Sequence, residues 1–405
     1  MKLVEFIPST FKDNPASMAT VIFYNFILLS STFFVWASEK GKGNLERYFF
    51  LGLAFLLVFV PAAFRYELGV DYFSYKLIYE NIQNGLDPFV TSKMEPLYYL
   101  LNWVAGALGF SFEVFLILVC FLTYAFLFKS YPRDKVYIYH LVLWAVIYFL
   151  TFDKLRSMLA GSVLLYSTMS YTIRPKINRY VFWIVVAGFF HKSAFVFLIF
   201  PMVINRGFIK DFFLIKFIIP LFVILLAIFG REMAQMLLNS SVVEVLGYGR
   251  YSESWYSQET KFSSGLGVMA AVMFLLYSIV ITIAKSESRH RLLYLVVACT
   301  AMSIILAANI DIFRRLKILF IIGYPLAVWV LLNYNRTLLS KVAATMMILL
   351  CVFDFNRSII NGSTDFMETC SSLRITPYVS IFNKKDSTRD PHYTRFVRWC
   401  EAYFE

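Results

Sequence analysis

Charge is scarce in this chain. Only 16% of its 405 residues are Asp, Glu, Lys or Arg, against about a quarter in soluble domains. Histidine is scarcer still, with four in all. No HExxH pair is present, so a zinc site of ordinary spacing is excluded. No glycine-rich phosphate loop followed by Lys and Ser or Thr occurs, which argues against ATP use. No Gly-x-Ser-x-Gly elbow offers an acyl-transfer serine. There is no internal period of 20–50 residues and no low-complexity stretch. The polar start, Met1 to Ser17, is followed by an apolar block without a small-residue cleavage site, so the first block is expected to stay in the mature chain. The cysteines number five. Cys120, Cys299 and Cys351 fall in apolar blocks and read as packing residues. Cys370 and Cys400 fall in a polar tail and suit either a disulfide outside the cytoplasm or two free thiols.

What is abundant is apolar side chain: 59% of the residues, 43 of them Phe. It comes in blocks, roughly 19–37, 47–64, 96–109, 112–128, 136–152, 155–173, 180–190, 193–204, 211–229, 265–284, 292–308, 313–333 and 341–355. Blocks near 20 residues match the hydrocarbon thickness of a bilayer. In lipid, each segment must satisfy its own backbone polar groups, so the blocks are expected to be helices. The fold class is therefore an all-α polytopic membrane protein. One transmembrane domain is expected over 1–355, with a mixed-charge tail over 356–405.

The net charge of +12 is spread over short connections rather than gathered in a nucleic-acid-binding face, so no nucleic-acid partner is expected. Basic connections mark the cytoplasmic side. They lie at Lys40–Arg47, Lys129–Lys135, Arg174–Arg179, Arg206–Lys210, Lys285–Arg291 and Arg336–Lys341. All of them share one side only if 96–109 does not cross and 180–204 is split near His191. The count is then about twelve crossings plus one re-entrant or interfacial helix. Both termini lie outside, as do segments 65–95 and 230–264 and the tail.

Nearly every charge that interrupts an apolar run falls on that outer side. In FRYELGVDYFSYKLIYENI, Arg65 follows a span and Asp71 follows a turn at Gly69. Tyr72, Tyr75 and Tyr79 recur at helical spacing. The bland alternative is a snorkelling arginine above an interfacial tyrosine belt. In KMEPLYYLLNW, Glu95 precedes the proline that opens a short helix. It suits a general base, a partner for a basic group, or a charge favoured by the helix dipole. In TFDKLRSMLAGS, Arg156 lies three residues beyond Asp153, where a local ion pair competes with a functional role. His191 in AGFFHKSAFVF suits proton transfer or phosphate contact, or is a satisfied core group. Arg250, Tyr251 and Trp255 in GYGRYSESWYSQETKFSSG combine ring planes with polar groups, as sugar recognition requires. Arg314 in NIDIFRRLKILF opens a span, and a guanidinium there suits a lipid head group or a phosphate leaving group.

The phrases RYELGVDYFSY, MEPLYYLLNW, LRSMLAGSVLL, AGFFHKSAFVF and RRLKILF, with RITPYVSIF in the tail, follow the order and spacing of the EpsG/Wzy-like polysaccharide polymerases. The resemblance covers roughly residues 45–385. It implies a large membrane glycosyltransferase architecture of the GT-C-like kind. The implied reaction moves a growing glycan from undecaprenyl pyrophosphate onto a lipid-linked repeat unit, at the periplasmic face of a bacterial inner membrane. Asp71, Glu95 and His191 would then be catalytic. Arg65, Arg156 and Arg314 would hold substrate, with Arg250, Tyr72, Tyr251 and Trp255 against the glycan. Partners would be undecaprenyl-pyrophosphate-linked glycans, membrane lipids, a chain-length regulator and a flippase. No cofactor is required, although Asp71 with Glu95 could hold a divalent metal. Ser157 stands where the family usually has Gln after the third-motif arginine, so no role of that Gln transfers. A flippase or transporter, an O-antigen ligase and a membrane acyltransferase are the rival readings.

Overall fold

The computed structural model describes residues 15–85, 94–201, 288–309, 313–334, 338–360, 375–376 and 378–384, with single positions at 221, 225, 229, 232 and 236. Among them every regular element is helical. The chain divides into two compact units. One comprises Met1–Phe128, Lys135–Leu159 and Leu349–Glu405; the other comprises Lys129–Asp134 and Ala160–Ile348.

The first unit begins with a helical hairpin, α1 (Pro15–Lys40) and α2 (Asn44–Ala63). At about 1.5 Å per residue both reach across a bilayer. Ile22, Phe26, Leu29 and Phe33 make an exposed stripe along α1, at a spacing that puts them on one face. A soluble helix would bury such a stripe; here it is the surface that lipid solvates. Next come α3 (Tyr72–Gln83), α4 (Pro96–Ala107) and α5 (Phe112–Lys129). The 12 residues of α4 span about 18 Å, too short to cross, as its sequence implied.

α6 (Val136–Ile147) packs on α1. Its first turn is satisfied by Glu39, whose Oε1 accepts the Val136 N–H at 2.6 Å. His140 on α6 meets Ser31 Oγ on α1 at 2.9 Å, so this histidine is a core group with a hydroxyl partner. A single turn, α7 (Leu150–Asp153), leads into α8 (Leu155–Ile173).

In the second unit α9 (Ile177–Phe190) stops at His191, which is extended, and a 3₁₀ segment follows over Lys192–Leu198. The break expected in 180–204 is therefore present. α10 (Ser288–Asn309) packs on α11 (Phe313–Phe320) and α12 (Gly323–Tyr334). The apolar block 313–333 is thus two helices separated by a turn at Ile321 and Ile322. Thr300 on α10 explains how the break is tolerated. Its hydroxyl lies 2.6 Å from the Phe320 carbonyl, which the interruption deprives of a helical partner. Gly323 lets the helices approach, because a Cβ there would come 2.0 Å from Thr300 Oγ1. α13 (Leu338–Ile360) runs from the second unit into the first.

Five stretches among the described residues are long and apolar enough to cross a membrane: Met18–Lys40, Asn44–Ala63, Phe112–Lys129, Leu316–Asn333 and Ser340–Ile360. α8 has the length, but Arg156 and its run of Ser and Thr lower its hydropathy. Blocks 211–229 and 265–284, on which part of the expected count rests, lie outside the described residues apart from single positions in the first.

After α13 the tail returns to the first unit. Tyr66 N–H donates to Val379 O and Ile381 N–H to Phe64 O, each at 2.9 Å, pairing Arg65 with Ser380 in antiparallel fashion. Tyr24 Oη donates to Ile375 O at 3.0 Å and Tyr378 Oη to Pro61 O at 3.1 Å. Phe64 stacks on Phe382 with centroids 5.5 Å apart. The described tail residues 378–382 therefore lie at the end of α2 from which Arg65 emerges.

Candidate functional site

The polar cluster of the first unit is assembled from three turns. The first is the exit from α2. Arg65 follows the helix directly, and its guanidinium folds back into the bundle instead of reaching outward. Nη1 donates to Ala62 O and lies 3.2 Å from Cys120 Sγ. Nη2 donates to Phe152 O at 3.1 Å and reaches Thr151 O at 3.5 Å. The group also lies over the Phe152 ring at 5.0 Å, and the residue is fully buried. Arg65 thus ties the end of α2 to the α7 turn.

Gly69 brings the same two segments together. Its φ is +95°, and a Cβ would sit 2.7 Å from Phe152 O. Gly69→Ala is therefore expected to force the turn away from α7. Left-handed backbone alone costs an alanine about 1–2 kcal/mol, before the clash is counted. A midpoint temperature lowered by a few degrees in detergent would bear this out; an unchanged midpoint would not.

With Gly69 in place, the Asp71 N–H donates to Asp153 Oδ1 at 2.8 Å. Lys154 Nζ lies 2.9 Å from Asp71 Oδ2 and 2.9 Å from Asp153 Oδ2. One ammonium is thus shared by two carboxylates from distant segments. Burial pushes the Asp153 carboxyl up; Lys154 opposes that push and Asp71 adds to it. Burial alone would lower the Lys154 ammonium, but the carboxylates of Asp153 and Asp71 outweigh it and raise it.

The third turn precedes α4. Glu95 is extended, as the residue before a proline must be, and Pro96 opens the helix. Arg156, two residues past Lys154, donates from Nη1 to Glu95 Oε2 at 2.9 Å and lies over the Tyr98 ring at 5.7 Å. Tyr75 stands between the two ion-paired groups. It feels the charges of Asp71, Lys154 and Asp153 and hydrogen-bonds Arg156. Burial, followed by Asp71, raises its phenol.

The local pair Asp153–Arg156 does not form. Asp153 goes to Lys154 and Asp71, and Arg156 goes to Glu95 across 61 residues. Lys154 and Asp153 are the members that sequence reasoning left out of the site. The only signal was their adjacency in FDKLR, which reads as an ordinary charge pair. Asp71 and Glu95 are each held by a different cation.

Two of the expected substrate contacts are buried. Arg65 has no exposed surface, and its guanidinium is engaged by backbone carbonyls. Tyr72 is also buried, edge-on to Phe112 at 5.3 Å. His191 and Arg314 belong to the other unit. His191 is half-buried, and its carbonyl accepts the Ala194 N–H at 2.9 Å. The 3₁₀ segment after it packs on α11, the helix that carries Arg314, through Phe197 stacked on Phe320 at 4.8 Å. The Arg314 side chain lies outside the described residues, as do Arg250, Tyr251, Trp255, Cys370 and Cys400.

A family model described as the EpsG family matches residues 48–380. The chain belongs to the EpsG family. No curated protein and no solved structure matches it. The EpsG match begins within α2 and ends at Ser380, so it takes in both partners of the Arg65–Ser380 bridge and all three turns of the cluster. EpsG membership, with the apolar helices, supports a polysaccharide polymerase-like role in a multi-pass membrane protein.

Proposed function

We propose that this EpsG family member is a surface-polysaccharide polymerase of the O-antigen type. It transfers a growing glycan from undecaprenyl pyrophosphate to a lipid-linked repeat unit at the periplasmic face of a bacterial inner membrane. The observation that carries this reading is the orientation of the charged cluster. Its carboxylates are the more buried members, with 5% of the Asp153 side chain, 7% of Glu95 and 17% of Asp71 exposed. Its cations are the more open, with 31% of Lys154 and 30% of Arg156 exposed. A ligand arriving at this end therefore reaches the ammonium and the guanidinium more readily than the carboxylates, which suits a diphosphate.

The chemistry follows. An acceptor hydroxyl oxygen attacks the anomeric carbon, and the bond from that carbon to the diphosphate oxygen breaks. The electron pair stays on the diphosphate, where Arg156 offsets the new charge. The hydroxyl proton goes to Asp71, the most open of the cluster's three carboxylates at 17% exposed. Glu95 is engaged by Arg156 and orients it. Arg65 and Tyr72 position the turn. His191 and Arg314 keep their expected roles in proton transfer and phosphate contact as proposals of the second unit, and Arg250, Tyr251 and Trp255 theirs against the glycan. Diphosphate is already a good leaving group, so positioning and charge neutralisation supply most of the effect.

Deletion of the gene, complemented by the wild-type chain, is the direct test, read as polysaccharide length on a gel. A ladder of repeats that collapses to one repeat and returns on complementation is expected. Loss of the single repeat as well would indicate a flippase, and an intact ladder left unattached to its final acceptor would indicate a ligase.

A further inference from the structure

The site has more carboxylate than a base alone needs. Asp71 could be held by Lys154 without help, yet Asp153, almost wholly buried, competes for the same ammonium at the same 2.9 Å. We propose that Asp153 is a tuning residue: by sharing Lys154 it keeps the proton affinity of Asp71 high enough for Asp71 to accept the hydroxyl proton. The proposal rests on Asp71 being the base, as argued above.

The geometry gives the reason. A carboxylate paired with a lysine of its own is a weak base, because the cation within 4–6 Å lowers its pKa by about 1–3 units. A second carboxylate on the same cation divides that effect and adds a like charge beside Asp71. When Asp71 takes the proton, Lys154 does not lose its carboxylate partner in a part-buried place, since Asp153 still neutralises it. The proton-transfer step is thereby spared the penalty of stranding an ammonium. Asp153 is fixed for this task. Its Oδ1 accepts the Asp71 N–H while Oδ2 faces Lys154, so one side chain sets both the position and the charge of its neighbour.

Other charged and titratable groups meet the cluster among the described residues. Tyr75 lies on its own helix, and Lys154 and Arg156 come from the start of α8. Arg156 is matched by Glu95 and rests on Tyr98. The ammonium divided between Asp71 and Asp153 is therefore the balance that a single substitution can tip.

Asp153→Asn is the test variant, because the amide oxygen can still accept the Asp71 N–H while the charge is gone. Lys154→Met is its opposite. Each full-length variant is placed in lipid nanodiscs with the lipid-linked repeat unit isolated from cells lacking the gene, and the rate of chain growth is measured against pH. Asp71 works deprotonated, so activity falls as pH drops through its pKa. With Asn at 153, Lys154 acts on Asp71 alone and lowers that pKa. The acid limb should move down by about 1 pH unit, and the plateau rate should fall as the base weakens. With Met at 154, the limb should move up.

A merely structural role for Asp153 predicts a lower rate with an unmoved limb. That result, or the absence of an acid limb in all forms, overturns the proposal. Asp71→Asn serves as the separate control. Full activity in that variant means that Asp71 is not the base, which refutes the functional reading itself rather than the tuning.

Discussion

Arg156→Ala is expected to leave cells with single-repeat glycan and no ladder, while the protein remains in the membrane at normal level. Two effects add. In the proposed reaction the leaving diphosphate loses a cation at the point where its charge develops, a loss of about 10²–10³ in rate for a preorganised donor. Glu95, only 7% exposed, loses the cation that pairs with it, and a cationic edge becomes an anionic one. Arg156→Lys should recover only part of the rate, because an ammonium cannot serve Glu95, the Tyr98 ring and a phosphate with one planar fork. Long chains from Arg156→Ala would remove this arginine from the mechanism.

Arg65→Met should fail differently. The methionine fills much of the same volume but takes a donor from the buried carbonyls of Thr151 and Phe152, while Ala62 O keeps the Cys120 thiol. Each lost donor costs about 1–3 kcal/mol, so the total reaches about 2 kcal/mol or more. The expected result is a lower midpoint temperature in detergent and less protein in the membrane, with activity falling in step. A normally stable but inactive Arg65→Met protein would instead mean that the guanidinium acts on substrate. The two arginines lie in phrases that look alike in sequence, each a basic residue at the edge of an apolar block. Melting temperature and product length separate them.

Much of the helical plan is legible in the sequence because lipid leaves so few options. An apolar run of 20 residues has to satisfy its own backbone, as α1, α2 and α5 do. The shortness of α4 and the interruption at His191 could also be anticipated, the first from length and Pro96, the second from charge in mid-run. The division of 313–333 into α11 and α12 could not. It depends on Thr300 reaching a carbonyl 20 residues away, and Gly323 looks like any small residue in a membrane helix.

The site shows the same limit. Asp71, Glu95 and Arg156 stand out as charges among apolar neighbours, and they do converge. Their partners are set by tertiary packing. Rules for neighbours three or four residues apart pair Arg156 with Asp153, whereas the fold brings Glu95 in from 61 residues away and Asp71 to Lys154 from 83. Arg65 is conspicuous for the same reason, but only the fold shows that its head turns inward.

The return of the tail orders events in time. Tyr378 and the Pro61 carbonyl it binds are 317 residues apart. A ribosome working at 5–20 residues per second needs roughly 15–60 s to make the stretch between them. Through that interval the turn bearing Arg65 and Asp71 lacks the backbone partners that Val379 and Ile381 supply. A chain stalled or cut short before Ser380 would carry all the charged residues of the cluster and still lack the finished site. The segment around Ser380 thus acts as a latch that reaches the turn bearing Arg65 only after the intervening helices have been made.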